Sequence, residues 1–458
     1  EGDEEGDFEG ETPEEKRLRL AKKLLQEVQE FERMAAEDSL EEGESSADER
    51  GGTSRVAQRL TKEMLQRSGR LYRTFREKVL HKEVSPPTVA DWSITSYRGH
   101  RAAPTCLALS TDDTCAYTGA KDCCILKWDV ETGSRTLYKG DRHGPGTTGH
   151  NGNVLAVAIS PDGNLLASGG VDTYVRLWDT RTNKQVERMG GHRGPITGLS
   201  FRETTNELYS VSLDRTMRVW NADQMAYVST LHGHVSEVLA VDGYQTERAL
   251  SCGTDKTVRL WRIIEETQLR FVGHEGPIDC VRQLDDESFV SGSQDGSLAL
   301  WHTSKQNPVH LEERAHQGGW ISSLAAPRRG DLVASGSNDG FVRVWWARYR
   351  GNSLSAPVER SEPGRSAMGS LEPLVSIPLN GWVNGMAFSK DATRLVAAVG
   401  HEHRLGRWDN VKAVRSGLHI VRVLDETKSV SRKPQKSGAK LSGSSSSSAR
   451  KGAKARKR

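Results

Sequence analysis

Leu166–Asp179 reads LASGGVDTYVRLWD: two apolar runs joined by a tight turn, with Asp172 in the turn and Trp178 closing the second run. His150 stands 22 residues before Asp172 and follows Gly149. The device recurs along the chain. The turn Asp and a Trp six residues later occur as Asp122/Trp128, Asp172/Trp178, Asp214/Trp220, Asp255/Trp261, Asp295/Trp301 and Asp339/Trp345. A His lies 21 to 23 residues before each Asp: His100, His150, His192, His234, His274 and His316. A seventh, irregular copy is expected at Glu402/Trp408, with Ala398 where the others carry a strand hydroxyl.

A period of about 40 residues, with four short strand-like runs per unit, is the signature of a β-propeller. One such sheet cannot bury both faces alone, so the units must stack radially and fold together. The expected fold is therefore all-β, a seven-bladed propeller over residues 89–424 with an N-terminal helical extension. Two runs compete for the strand that closes the ring, Trp92–Arg98 and Leu418–Val423, and only one fits unless the last blade gains a fifth strand. The N-terminal run is favoured. Residues 139–152 lengthen one connection, and residues 346–371 form a basic Ser/Gly/Pro-rich loop before the fourth strand of blade six.

The flanks are polar. A mean hydropathy of −0.62 is low for a compact globule, so long polar segments must accompany the folded part. Residues 1–15 carry nine acidic and no basic residues; residues 428–458 carry eleven basic and no acidic ones. Residues 1–11 and 425–458 read as disordered tails, the basic one suited to nucleic acid or an import receptor. Residues 12–84 read as two amphipathic helices. The first opens on Thr12-Pro13-Glu14-Glu15, a capping layout. The second, about 55–82, has a basic face that includes Arg70, Arg73 and Arg76. It can pack on its neighbour or lie along RNA phosphates.

Several function classes find no support. No run of 18 apolar residues offers a membrane span. The six Cys show no CxxC spacing, and four fall in apolar runs, as buried thiols of a reducing compartment do. Gly144–Gly149 matches GxGxxG but neither follows a strand nor opens a helix, so it reads as a loop. His401-Glu402-His403 lacks further ligands nearby, and no metal or other cofactor is expected. The repeated His/Asp pairs resemble acid–base pairs, yet each serves its own repeat. No enzyme and no small-molecule substrate are expected.

The Gly-His, turn Asp and Trp resemble the WD-repeat family. That resemblance implies a hydrogen-bonded set in each blade, such as His150, Ser168, Asp172 and Trp178, with Thr118, Ser210, Ser251, Ser291 and Ser335 as the other hydroxyls. A narrower resemblance rests on EEKRLRLAKKLLQEV (Glu14–Val28), RVAQRLTKEMLQRSGRLYRTF (Arg55–Phe75) and AVGHEHRLGRWDNVKAVRSG (Ala398–Gly417). These are similar to the family of U3 small nucleolar RNA-interacting 55-kilodalton WD-repeat proteins. The resemblance implies a nucleolar subunit of the U3 box C/D particle. Its partners would be U3 snoRNA, a small kink-turn-binding protein, other box C/D proteins and the small-subunit processome. Arg404, Arg407, Lys412 and Arg415 are the expected contact patch, with Arg70, Arg73 and Arg76 as a rival. A protein-only scaffold in a nuclear complex is the alternative.

Overall fold

The computed structural model describes residue 75 and residues 93–141, 149–349, 369–406, 410–411 and 414–423. Among these, 28 strands form seven four-stranded antiparallel sheets. The first strand of each blade touches the first strand of the next, and blade seven touches blade one, so these strands enclose an axis. Blade two is typical: Val154–Ile159, Leu165–Gly170, Val175–Asp179 and Lys184–Met189, running outward. Its inner three strands are almost wholly buried, while the outermost is mostly exposed. Apolar clusters span neighbouring blades, as where Trp220 of blade three packs with Ala156, Ala167 and Leu177 of blade two. No blade completes its core alone.

Burying the Trp indoles requires a partner for each N–H. In blade two Trp178 Nε1 donates to Ser168 Oγ at 2.7 Å, and Ser168 Oγ lies 2.7 Å from His150 Nε2. His150 Nδ1 lies 2.8 Å from Asp172 Oδ2. One proton arrangement satisfies the indole, the hydroxyl and both imidazole nitrogens: the Ser hydroxyl donates to Nε2, and the Nδ1–H donates to the carboxylate. The chain repeats in blade one (His100, Thr118, Asp122, Trp128), blade three (His192, Ser210, Asp214, Trp220), blade four (His234, Ser251, Asp255, Trp261) and blade six (His316, Ser335, Asp339, Trp345). Burial works to raise the Asp255 carboxyl, but the His234 and Thr257 hydrogen bonds outweigh it and hold its pKa at about 2.

Blade five departs from this. His274 Nδ1 meets Ser297 Oγ at 2.6 Å instead of Asp295. Asp295 accepts the Gly276 and Ser297 amides, while Ser291 and Trp301 keep their places. Burial, only partly opposed by Asp295, pushes His274 down to about 4.

Blade seven corrects two expectations. Its sheet runs Trp382–Phe388, Arg394–Gly400, Gly417–Arg422 and, outermost, Ile94–Tyr97. The N-terminal run closes the ring, pairing Ile94 with Val421. The C-terminal run also enters, as the third strand, without a fifth. That is possible because the third strand is Gly417–Arg422, not a run starting a few residues after Glu402 as the Glu402/Trp408 spacing suggested. Gly417–Arg422 wins the place by burying Leu418, Ile420 and Val421. Trp382, Leu395 and Val399 are core residues as packing requires, whereas Trp408 lies outside the described residues. The insertion of blade six is also shorter than expected, its flanking strands reaching Tyr349 and restarting at Gly369.

The tails, both helix assignments and the Gly144–Thr148 loop lie outside the described residues, apart from Phe75. Phe75 is 4% exposed, packs with Leu332, Ala392 and Val423, and donates its N–H to Asp331 Oδ1 at 2.7 Å. Asp331 precedes the second strand of blade six, so this anchor lies at the end of the blade opposite the His/Asp turns.

Ser168→Ala leaves an indole N–H and an imidazole nitrogen buried without partners, and should lower the urea unfolding free energy by about 2–4 kcal/mol. Ser168→Thr should stay near wild type, because Thr118 fills the same role in blade one. His274 predicts acid sensitivity. Its folded pKa of about 4 lies below the unfolded value of about 6.5, so its stabilisation is intact above pH 6.5 and lost as pH falls towards 4. Denaturant unfolding as a function of pH should show a slope in that window, reduced by up to one proton in His274→Gln. The Asp255 contribution is lost only lower, as pH falls from about 4 towards 2.

Candidate nucleic-acid interface

A bulge interrupts the first strand of six blades, at Thr105, Leu155, Thr197, Leu239, Asp279 and Asn384. A bulge re-aims one residue out of the ladder. The Thr197 hydroxyl donates to Val238 O at 2.6 Å, and Thr105 bonds Val154 O in the same way. Ser322 of blade six donates to Val383 O at 2.7 Å. Three pairs of successive blades are thus tied around the axis.

In blades five and seven the bulge residues are Asp279 and Asn384, and they receive a plug. After the second strand of blade seven the chain leaves the sheet at His401 and returns at Ser416. Residues 402–404 are buried. His403 is wedged between Trp320 and Trp382, with ring centroids 5.4 and 5.0 Å away. Glu402 meets Lys121 Nζ at 3.1 Å, both side chains 4% exposed, and Lys121 also donates to Gly406 O. Asn384 Nδ2 donates to Pro104 O and Glu402 O, and its Oδ1 accepts the Arg404 N–H. Arg404 Nη2 donates to Leu239 O and Asp279 O, each at 3.1 Å. One short segment therefore joins blade seven to blades one, four, five and six.

Arg404 is thus no surface residue. It is 8% exposed, held inward by two backbone carbonyls, and it drops out of the expected patch. Nor does it pair with Glu402, which faces Lys121. His401 turns to Ser416, its Nδ1 2.7 Å from the hydroxyl, so the three side chains of His401-Glu402-His403 point to three different environments. Arg407, Lys412, Arg70, Arg73 and Arg76 lie outside the described residues.

Arg415 is exposed and lines a groove of about 440 Å³ between blades six and seven, on the side of the His/Asp turns. Arg98, also exposed, stands at the end of the closing strand and lines the same groove, with Leu379 and Val414 as apolar wall. His419, bonded to Ser96 at 2.9 Å, completes the floor. Two guanidinium groups beside an apolar wall can take a phosphate and the face of an unstacked base.

Several residues escaped the sequence reading. Arg176, Arg259 and Arg343 each approach the turn Asp four residues earlier, Arg176 at 3.1 Å from Asp172. An Arg four places after the turn Asp recurs in four repeats and signals this. Lys121 occupies a place where the other repeats carry Val171, Leu213, Thr254, Gln294 and Asn338. A lone charge there signals a buried partner. Arg328 bridges the opposite ends of the blades, meeting Asp242 at 2.8 Å and Glu203 at 2.6 Å; no repeated pattern marks it.

Together, the ring and its hydrogen-bonded sets define a WD-repeat propeller. The model of the family described as "WD domain, G-beta repeat" matches residues 92–129, 145–179, 183–221, 225–262, 265–302 and 308–345, stopping before blade seven. Among curated relatives, U3 small nucleolar RNA-interacting protein 2 of Homo sapiens is 39% identical, covering 90% of this chain and 82% of its own. U3 snoRNP-associated protein-like EMB2271 of Arabidopsis thaliana is 36% identical, covering 91% and 86%. A solved structure titled "Structure of U3-55K" matches with a TM-score of 0.66 at 40% identity, over 74% of this chain and all of that one. The chain belongs to the family of U3 small nucleolar RNA-interacting WD-repeat proteins.

Lys121→Met should remove the buried cation that faces the Glu402 carboxylate and lower stability by about 3–5 kcal/mol. Adding Glu402→Gln should recover part of that loss in the same urea titration.

Proposed function

We propose that this chain is a non-catalytic, U3 RNA-binding subunit of a box C/D ribonucleoprotein. It recognises the box B/C region of U3 beside a kink-turn-binding protein. It serves pre-ribosomal RNA processing and 18S maturation in the nucleolus, within the small-subunit processome. The supporting observation is the breadth of likeness to relatives named for U3: about nine tenths of the chain matches, more than the propeller alone. The groove of Arg98 and Arg415 fits the reading, because shaped RNAs are held by phosphate contacts and a few exposed bases. It lies where the repeat pattern breaks, so it does not belong to propellers in general. The basic residues of 428–458 suit nuclear import and nonspecific RNA contact.

RNA crosslinked to the purified full chain should be enriched in U3. In binding assays Arg415→Glu should weaken U3 RNA association by about tenfold and flatten its salt dependence by about one charge. Background RNA in the crosslinked pool, with unchanged binding by a folded Arg415→Glu protein, would favour a protein-only scaffold.

A further inference from the structure

We propose that Arg404 is a positioning residue for the groove, setting Arg415 against Arg98 from the axis of the ring; this rests on the RNA-binding reading above. Among its described residues the excursion from His401 to Ser416 contains no regular strand, and it takes its shape from contacts at its two ends. At its inner end Arg404 ties it to the bulge carbonyls of blades four and five, and the Arg404 amide ties it to Asn384. At its stem His401 and Ser416 are bonded side chain to side chain at 2.7 Å. On the return, Val411 N donates to His401 O at 2.9 Å and Val414 N to Val411 O at 3.1 Å. Arg415 follows directly and faces the groove with Val414. Two residues separate Arg404 from the stem His401, and the stem Ser416 adjoins Arg415. Displacing the buried end therefore shifts the exposed end.

The residue type fits that task. A planar guanidinium reaches carbonyls on two different strands with one rigid fork, which a flexible ammonium does less well. Asp279, at the bulge in blade five, is fully buried beside it, with Oδ1 accepting from Gln294 at 3.0 Å. A contact site is only as well placed as the shell behind it, and here that shell is the axial plug.

The test compares Arg404→Gln, Arg404→Lys, Arg415→Glu and the Arg404→Gln/Arg415→Glu double variant in the full chain, with a U3 RNA transcript as probe. Arg404→Gln should weaken binding about as much as Arg415→Glu, with Arg404→Lys between it and wild type. The double variant should bind within about twofold of Arg415→Glu alone, because both changes remove one contact. Amide exchange at Val411 and Val414 should quicken by about tenfold in Arg404→Gln, while the blade indole N–H groups stay protected. Should Arg404→Gln fail to fold, the charge-retaining Arg404→Lys supports the same two measurements. Unchanged binding and exchange in a folded Arg404 variant, with Arg415→Glu impaired, would overturn the proposal, and so would additive losses in the double variant. Normal binding by Arg415→Glu would instead overturn the RNA reading, while the exchange data still decide whether Arg404 holds the excursion.

Discussion

A buried hydroxyl on the second strand of each of the first six blades is the point on which the architecture turns. It accepts from an indole and donates to an imidazole, whose other nitrogen faces a turn carboxylate in five of these blades. Each group would be costly to bury alone, and together the indole, hydroxyl and imidazole groups find partners. Because the set joins the turn, the second strand and the third strand, it fixes the register of the sheet. The apolar faces then find their neighbours, and the ring follows from packing.

Blade seven shows what replaces that set where it is missing. It has neither the hydroxyl nor a turn Asp, and its second strand is a run of small and branched apolar residues. The strands are held by burial and by pairing with a strand from the far end of the propeller. The polar work moves to the axis, where Lys121, Asn384 and the Leu239 and Asp279 carbonyls receive the inserted segment. The blade that departs from the repeat is thereby joined to four others.

Much of this was legible from spacing. The six-residue interval between Asp and Trp located six third strands, and the His about 22 residues earlier located the networks. The same interval misled at Glu402/Trp408, because local spacing says nothing about which run will be buried. Leu418, Ile420 and Val421 decided that contest through contacts with residues hundreds of positions away. Arg404 was misjudged for a related reason. A basic residue in a polar loop reads as exposed, and only the ring's closure reveals two unclaimed carbonyls pointing inward. Ser297 was hidden in another way: a hydroxyl two places after the turn Asp recurs in blades three and four, where Thr216 and Thr257 bond to the Asp, yet in blade five it turns to the His. The groove joins segments from near both ends of the array, so no local pattern could announce it.

The pairing of Ile94–Tyr97 with Gly417–Arg422 also bears on biogenesis. Ser96 and His419, which touch across that seam, are 323 residues apart. At about 5–20 residues per second, a ribosome needs roughly 15 s to a minute to supply the second after the first. Throughout that interval the earliest strand stands as an unpaired edge, the kind of template that invites association between nascent chains. Completion of the wheel therefore waits on the late synthesis of Gly417–Arg422, long after the strands of the first blades have been made.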